Sequence, residues 1–369
     1  MPLRTALRTA WVACAFCSLC VAAEAAREPD ASDLPACLAK LRKGARDEMV
    51  SLPDFDRLTR GVRWQDKSIE HLNSQPETML TWQQYLDRIL TPSRVDRGRD
   101  IFVEWRRSAA SIAERYGSDA NVIVAIWGIE SDFGSRMGSF PVLDSWATLA
   151  CYRPTPLRTR NFYGALRLLA SDRVPVDGFT GSWSGAFGLT QFIPTSYESY
   201  AADGDGDGRV DLYNSVPDAM ASAARHLAGR THWTRGLPAA IEVAIPAKLV
   251  GELAAASDDE RWVKAARPLV DWARLNVTTV DGQPLSSLDI PSSTPMQVLL
   301  TAGARGRTFL LSSNFQALMS YNRSTKYAVA VSELANRVRE PIASTVANPP
   351  EGARLAAPAP GATSAVSEE

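Results

Sequence analysis

The stretch VIVAIWGIESDFGS, from Val122 to Ser135, predicts an apolar helix that must enter the core of the protein. This helix ends in a carboxyl group, because Glu130 follows Ile126 by four residues and lies on the same face. Burial of an ionised carboxylate costs several kcal/mol, and a partner or a raised pKa relieves that cost. Glu130 is therefore either a structural acid with a partner or a proton donor that is kept neutral.

The rest of the chain predicts mainly helical surroundings with one small β unit. Helical spacing predominates from Asp33 onward, and Ser118 or Asp119 is suited to cap the helix that carries Glu130. From about Pro238, strands are predicted by four short β-branched runs with turn residues between them, AIEVAIP, LNVTTVDGQPL, MQVLLTA and RTFLLS. Helices then resume. The 369 residues, 45% hydrophobic and 22% charged, suffice for one large core or two to three smaller ones. A formal charge of -1 gives no sign of a nucleic-acid-binding surface.

The N-terminus has the layout of a cleavable secretory signal. Arg4 and Arg8 precede an apolar run over residues 11–23, and an Ala-x-Ala site predicts cleavage after Ala25. The run is too short to span a bilayer comfortably, so we expect a periplasmic protein with no transmembrane segment in its mature chain. Lipidation of a cysteine in this run is the alternative, although the preceding residues lack the usual lipoprotein pattern.

Two of the five cysteines, Cys37 and Cys151, remain after removal of the signal. Disulfides persist in secreted proteins, because no cytosolic reducing system keeps their thiols reduced. An even pair in such a compartment favours a disulfide between Cys37 and Cys151, and two buried free thiols are the alternative.

Residues 203–214, DGDGDGRVDLYN, have the spacing of an EF-hand calcium loop. Hard Ca²⁺ takes six to eight oxygen ligands, and clustered carboxylates repel one another without a cation. Position 12 is Asn214 in place of the usual glutamate, and Asp218 in the next helix is placed to supply that carboxylate. We expect a structural calcium ion, with a solvated Asp-Gly turn as the alternative. The expected ligands are Asp203, Asp205, Asp207, Asp211, Asp218 and the carbonyl oxygen of Arg209.

Glu130 has no second carboxylate that the sequence places beside it. Glycosidases normally use two carboxylates that flank the scissile bond. Asp132 is nearest in sequence, but two residues further along a helix it points away from Glu130, so we expect it to cap or brace the turn. A secreted chain with ten tryptophans and nine tyrosines nevertheless suits a cleft for a sugar chain. If such an enzyme has one acid, the nucleophile must come from the substrate.

Four ordered segments, IWGIESDFG, SGAFGLTQFIPTSY, DGDGDGRVDL and YNRSTKYAVAV, resemble the lytic murein transglycosylase B family over about residues 33–340. The resemblance implies a mainly α (α+β) fold with a lysozyme-like helical core, an EF-hand-like calcium loop, an α domain built from both chain ends, and a small β domain. It also implies cleavage of the β-1,4 bond between N-acetylmuramic acid and N-acetylglucosamine in peptidoglycan. The reaction adds no water and leaves a 1,6-anhydro ring.

The resemblance and the sequence pattern together divide the chain into six parts. These are a signal peptide (1–25), the N-terminal helical part of the α domain (33–117), the catalytic core with the calcium loop (118–237), the β domain (238–310), C-terminal helices that return to the core and α domain (311–340), and a disordered tail (341–369). The expected partners are peptidoglycan glycan strands and wall-synthesis complexes.

The matching positions also carry the family's site residues over to this chain. Glu130 would protonate the glycosidic oxygen and then take a proton from the muramic C6 hydroxyl, while Ser182 would orient it. The residues expected to line the cleft are Gln191, Phe192, Tyr321, Tyr327 and Tyr85. A core or turn role is the alternative for Ser182, Gln191, Phe192 and Tyr327. The chain departs from the family at Phe187, where methionine is frequent, and at His226, where an aromatic residue is frequent.

Two other functions fit the same residues. The first is a muramidase that hydrolyses the same bond, and product masses separate it from a transglycosylase. The second is a non-catalytic, calcium-dependent glycan-binding protein, which a substitution of Glu130 would leave unimpaired.

Overall fold

The computed structural model describes residues 27–74, 79–230, 232–255, 262–301 and 306–339. The predicted signal peptide (1–25) and the predicted disordered tail (341–369) lie outside the described residues. In the part of the chain that the structure describes, no helix is both long enough and apolar enough to cross a bilayer.

Helices form most of the described chain. In order they are α1 (Leu34–Gly44), α2 (Leu52–Thr59), α3 (Asp66–Asn73), α4 (Trp82–Ile89), α5 (Pro92–Glu104), α6 (Arg106–Tyr116), α7 (Ala120–Ser131), α8 (Val142–Tyr152), α9 (Pro156–Ala170), α10 (Pro194–Tyr200), α11 (Val216–Arg230), α12 (Ala247–Ala255), α13 (Leu269–Arg274), α14 (Asn314–Tyr321) and α15 (Thr325–Val338). Short 3-10 turns cover Ala31–Asp33 and Leu285–Ser287.

The strands form two antiparallel sheets. They are β1 (Phe140–Pro141), β2 (Thr180–Gly181), β3 (Ala240–Ala244), β4 (Trp262–Pro268), β5 (Thr278–Thr279), β6 (Pro295–Leu300) and β7 (Thr308–Leu311). β1 pairs with β2, and the other five form a sheet in the order β4-β6-β7-β3-β5. Four of these five strands lie in the predicted β-branched runs, whereas β4, at one edge of the sheet, lies in none of them.

The helix α7 is the centre of the larger core, as its apolar sequence requires. It begins after Asp119, whose extended backbone precedes the first turn and whose carboxylate accepts hydrogen bonds from Trp233 Nε1 (2.8 Å) and Gly236 N (3.0 Å). Gly128 allows a close crossing of α15, since a Cβ atom there would lie 3.1 Å from Leu334 Cδ2 and 2.5 Å from Phe133 Cζ. The C-terminal helix therefore packs directly on the helix that carries Glu130.

The strands β6 and β7 of the five-stranded sheet are buried on both faces. Val298 and Leu310 belong to a small separate core on one side of the sheet, while Leu299 and Phe309 belong to the large helical core. This alternation follows from the period of two along a strand. The sheet therefore packs on the helical body through side chains of these strands.

The Cys37–Cys151 pair forms a disulfide in the structure, with the two Cα atoms 5.9 Å apart. Cys37 lies in α1 and Cys151 lies in α8, so the bond joins the N-terminal helices to the helical core. The predicted fold class, mainly helical with a small sheet, is confirmed. The predicted domain boundaries stay predictions.

Candidate active site

Glu130 lies in the last turn of α7, where the buried helix reaches a partly exposed surface. Its Oε1 atom accepts a hydrogen bond of 2.6 Å from the hydroxyl of Tyr327. Tyr327 is only 3% exposed and lies in the first turn of α15, where the Ser324 side chain caps the helix. The crossing of α7 and α15 therefore brings together two residues that are 197 positions apart in the chain.

Tyr321 packs against Tyr327. Its ring lies nearly parallel to that of Tyr327, with centroids 6.4 Å apart, and its hydroxyl donates to Thr190 O at 2.7 Å. Burial, and then the charge of Glu130, raise the pKa of both tyrosines well above the usual value. Both hydroxyls therefore stay protonated and act as donors over the pH range in which proteins are stable.

Tyr85 is the third predicted cleft tyrosine. It lies in α4, is 3% exposed, and lies near enough to Tyr327 to affect its electrostatics. The structure therefore brings Tyr85, Tyr321 and Tyr327 to the end of α7, although a contact of Tyr85 with sugar stays a prediction.

A turn over residues 181–193 packs against the end of α7 and against Tyr321, because Leu189 O and Thr190 O accept hydrogen bonds from Ser131 and Tyr321. The backbone of Phe187 exchanges two hydrogen bonds of 2.9 Å with that of Phe192, which closes the turn. Gln191 has a φ of 47°, and its side-chain amide donates to Met137 O (3.1 Å) and Gly188 O (2.9 Å). The Gln191 side chain is thus held in the loop, and its contact with sugar stays a prediction.

Ser182 and Phe192 have other contacts in the structure than those predicted for the cleft. Ser182 Oγ accepts from Ala186 N at 3.2 Å and shares a hydrogen bond of 3.0 Å with Ser184 Oγ. Phe192 is 2% exposed and packs edge-on against Tyr321. Orientation of Glu130 by Ser182 and a cleft contact of Phe192 both stay predictions, and the burial of Phe192 favours its alternative role in the core.

The two departures from the family pattern are both core residues. Phe187 is fully buried, and its ring stacks on that of Tyr213 with centroids 5.9 Å apart. His226 is 4% exposed and lies 4.6 Å from the Tyr321 ring and 4.5 Å from the Tyr200 ring. His226 therefore takes the place of an aromatic side chain behind the tyrosine pair.

The exit from α7 is braced on two sides. Ser131, which sequence reasoning did not single out, is 1% exposed and donates to Leu189 O at 2.6 Å. Asp132 forms an ion pair of 2.9 Å with Arg94. Burial opposes ionisation of Asp132, but the hydrogen bond and charge of Arg94, with Ser135, hold its pKa below the usual value. Asp132 is therefore an ionised structural acid that braces the turn.

The aspartate loop lies between α10 and α11. Ligand oxygens of Asp203, Asp205 and Asp218 lie within 4.8 Å of one another. Calcium binds oxygen at about 2.3–2.6 Å, so oxygens on opposite sides of an ion are about 5 Å apart and this cluster fits one ion. Asp218 is 1% exposed. Its burial raises its pKa, and the negative charges of Asp203 and Asp205 add to this effect, although hydrogen bonds from two backbone N–H groups oppose it.

The other predicted ligands lie on the same loop and make local contacts. Asp207 Oδ1 accepts from Arg209 N at 2.8 Å, and Asp211 accepts from Tyr213 N and from the side chain of Asn214. Gly208 at position 6 has a φ of 86°, which suits the sharp turn that such loops need. Ligation by Asp207, Arg209 and Asp211 stays a prediction.

Three residues of this site gave no clear signal in the sequence. They are Arg94, Ser131 and Thr190. Arg94 forms an ion pair with Asp132, the Ser131 hydroxyl donates to Leu189 O, and the backbone carbonyl of Thr190 accepts from Tyr321. Only Ser131 has a local cue, since a serine directly after the acid at a helix end is available for capping. Arg94 lies 38 positions from Asp132, and a single sequence does not reveal such pairs.

Comparison with known proteins gives one consistent family. Residues 33–336 match the family described as the transglycosylase SLT domain. Over 312 residues the chain is 30% identical to the membrane-bound lytic murein transglycosylase B of Escherichia coli (strain K12). The match covers 79% of this chain and 81% of that protein.

Solved structures agree with this match. SltB3 from Pseudomonas aeruginosa, in complex with NAG-anhNAM-pentapeptide, has a TM-score of 0.72 and 37% identity, covering 82% of this chain and 78% of that chain. The soluble lytic transglycosylase SltB1 from the same organism has a TM-score of 0.68 and 25% identity, covering 82% and 98%. The predicted lysozyme-like helical fold with a small sheet is therefore confirmed.

Proposed function

The chain belongs to the transglycosylase SLT domain family and acts on peptidoglycan as a lytic transglycosylase, and we propose that it does so with Glu130 as its single acid and base. The bond cleaved is the β-1,4 bond between N-acetylmuramic acid and N-acetylglucosamine. The product is a strand that ends in a 1,6-anhydro ring. The observation that supports this proposal is the pairing of Glu130 with a neutral tyrosine while the neighbouring carboxylate, Asp132, is paired with Arg94.

In the first step Glu130 acts as the general acid. Oε1 accepts from Tyr327, so the transferable proton is carried by Oε2. That proton passes to the glycosidic oxygen as the bond from this oxygen to the muramic C1 breaks. The leaving N-acetylglucosamine receives a hydroxyl at C4, and the substrate's N-acetyl oxygen stabilises the positive charge at C1.

In the second step the carboxylate of Glu130 acts as the general base. It takes the proton of the muramic C6 hydroxyl while O6 forms a bond to C1, so Glu130 is again protonated at the end of the cycle. No water enters the products, and no second carboxylate is required. SltB3, 37% identical to this chain, has been crystallised with an anhNAM-containing fragment, which supports the same product here.

The paired tyrosines support both protonation states of Glu130. Tyr327 donates to Oε1 whether Oε2 carries the proton or not, because burial keeps its hydroxyl protonated. Glu130 is half-buried at the end of an apolar helix, and partial removal from water favours the neutral acid before reaction. The hydrogen bond from Tyr327 becomes stronger when Glu130 becomes a carboxylate. It therefore stabilises the charged intermediate more than the ground state.

The test is digestion of purified peptidoglycan with mass analysis of the products. We expect wild-type protein to release fragments one water lighter than hydrolysis products. We expect Glu130→Gln to reduce release about 10²–10⁴-fold, the usual contribution of a general acid and base. Glu114→Gln, a change of an exposed glutamate in α6, is the matched control and should leave release unchanged.

Two outcomes would reject the proposal. Products that have reducing ends and are not lighter by one water would show that the protein is a hydrolytic muramidase. Absence of release by the wild type, or equal release by Glu130→Gln, would favour a non-catalytic glycan-binding protein.

We also propose that the aspartate loop holds a structural Ca²⁺. The Asp203, Asp205 and Asp218 cluster supports this, because Asp218 enters from α11 and supplies the carboxylate that Asn214 lacks. Bound calcium would neutralise the clustered carboxylates and fix the loop to the start of α11. It takes no part in the reaction steps above.

We also propose a periplasmic location, which the predicted N-terminal leader (1–25) and the Cys37–Cys151 disulfide support. There the protein would meet glycan strands and wall-synthesis complexes.

A further inference from the structure

The turn that follows Glu130 has an unusual backbone. Asp132 (φ 50°) and Phe133 (φ 56°) are consecutive non-glycine residues in the left-handed region. Residues other than glycine rarely adopt this backbone conformation, and it persists only where the surrounding structure enforces it. The turn therefore needs an external constraint, and it begins two residues after the catalytic acid.

Two arginines of α5 supply that constraint. Arg94 donates through Nε to Asp132 Oδ1 at 2.9 Å and through Nη1 to the carbonyl oxygen of Ile89. Arg97 donates to Phe133 O at 3.3 Å, and its guanidinium lies 5.6 Å from the centroid of the Phe133 ring. The side chains of Arg94 and Asp132 are only 13% and 22% exposed, so water screens this pair weakly.

The Phe133 ring fixes the turn from within. It is 1% exposed and meets the edge of Trp127 at a centroid distance of 5.7 Å. A Cβ atom at Gly128 would lie 2.5 Å from the ring, and one at Gly98 would lie 3.1 Å from it. The ring therefore fills a space that two glycines leave open between α5 and α7.

Ser131 fixes the other side of the helix end. Its hydroxyl donates to Leu189 O at 2.6 Å and accepts from Gly134 N at 3.0 Å. Glu130 is therefore followed at once by a residue bonded to the 181–193 turn and then by two residues bonded to α5. The position of the carboxyl depends on both attachments.

We propose that Arg94 is a positioning residue for Glu130, acting through Asp132 by holding the left-handed turn in place. The inference rests on the proposed function in one respect, that Glu130 is the catalytic acid. A small displacement of a catalytic group costs about 10²-fold in rate. The residues predicted to contact sugar lie in α4, α14, α15 and the 181–193 turn rather than in α5. Loss of Arg94 should therefore lower kcat and leave KM nearly unchanged.

The experiment compares Arg94→Gln, Asp132→Asn and the double variant with wild-type protein on soluble glycan strands. We expect kcat to fall about 10- to 100-fold in each single variant, with KM within twofold of the wild-type value. Because the two residues act as one unit, the double variant should be no slower than the worse single variant. Arg99→Gln is the matched control in the same helix. The exposed Arg99 pairs with Asp96 and donates to Arg337 O, in the last turn of α15 and far along that helix from Tyr327, so this variant should keep the wild-type kcat.

Two further measurements separate positioning from general destabilisation. The thermal midpoint of each variant should lie well above the assay temperature, so that the folded fraction is unchanged. Glycan binding by the Glu130→Gln protein should be the same with and without Arg94→Gln.

The proposal is overturned if Arg94→Gln keeps the wild-type kcat, if the loss lies in KM, or if the effects of the two single variants multiply. These outcomes differ from a failure of the proposed function, in which Glu130→Gln itself would remain active. That last result would overturn this inference as well, because Arg94 would then have no catalytic acid to position.

Discussion

Tyr327 combines a core position with a hydrogen bond to the proposed catalytic acid. The sequence also allows a plain core role for Tyr327, and its 3% exposure agrees with that role. Its hydroxyl nevertheless donates to Glu130 at 2.6 Å. A buried tyrosine needs a partner for its hydroxyl, and here that partner is Glu130, the acid proposed to carry the reaction.

Tyr327→Phe removes this hydroxyl and keeps the ring. Hydrogen bonds to charged groups contribute about 1.5–3 kcal/mol, so we expect kcat to fall about 10- to 100-fold. The measurement is the initial rate of muropeptide release at saturating glycan.

Tyr152→Phe is the matched control for this change. Tyr152 is also buried, and its hydroxyl also donates to a glutamate, Glu28, at 2.9 Å. This control should retain wild-type activity. A rate for Tyr327→Phe equal to that of the control would show that the bond to Glu130 is only structural.

At the scale of the element, the aspartate loop is completed by the helix that follows it. Asp218 in the first turn of α11 accepts from Gly204 N and Asp211 N, each at 2.7 Å. A single buried carboxylate thereby joins the start of the loop to its end. A cation bound here would attach the loop to α11.

We expect removal of calcium to lower the thermal midpoint of the wild-type protein. Ligand present at 100 times its dissociation constant stabilises a fold by about 2.7 kcal/mol, which corresponds to several degrees for a protein of this size. The measurement is the melting temperature in EDTA and after addition of excess CaCl₂.

Asp218→Asn should remove most of the difference between the melting temperatures in EDTA and in calcium. Asp271→Asn, in which an exposed aspartate of α13 loses its charge, should keep that difference. A wild-type midpoint that is identical in EDTA and in calcium would count against bound metal.

In the whole molecule, separate attachments hold distant parts of the chain to the helical core. Arg307 pairs with Glu242 of the sheet and with Glu333 of α15, each at 2.5 Å. The Cys37–Cys151 disulfide joins α1 to α8 across a sequence separation of 114. Both attachments connect parts of the structure that are far apart in sequence.

Reduction of the disulfide should lower the free energy of unfolding by about 3–5 kcal/mol, because a cross-link over about 100 residues restricts the unfolded chain strongly. The measurement is urea unfolding with and without dithiothreitol. A Cys37→Ser/Cys151→Ser double variant should match the reduced protein and show no further response to the reductant. Equal midpoints for oxidised and reduced wild-type protein would contradict this expectation.

Prediction from sequence succeeded where the information is local. The apolar helix α7 and four of the five strands of the large sheet each follow from neighbouring residues. The calcium site that the spacing of aspartates predicts stays a prediction. The edge strand β4 was missed, because its sequence is not a β-branched run. The cysteine pair was favoured by its number and compartment rather than by any spatial cue.

The contacts around Glu130 depend on packing between distant segments. Sequence indicated an acid at the end of a buried helix and, through resemblance, two tyrosines far along the chain. It did not indicate that Tyr327 is the hydrogen-bond donor or that Arg94 is paired with Asp132, and it left a cleft role and a core role for Phe192 both open. These contacts depend on how α5 and α15 cross α7, which the absence of side chains at Gly98 and Gly128 permits.

The amino-acid sequence alone identifies the apolar helix α7, the candidate acid Glu130 and the loop with the spacing of a calcium site, because periodicity and spacing can be read from neighbouring residues. It did not predict α12 and α13, which lie within the segment predicted as a β domain. The partners of Glu130 become apparent only in the folded protein, because Tyr327 is 197 positions away and meets Glu130 where two helices cross. The same holds for the left-handed turn after Glu130, which is enforced by residues from another helix.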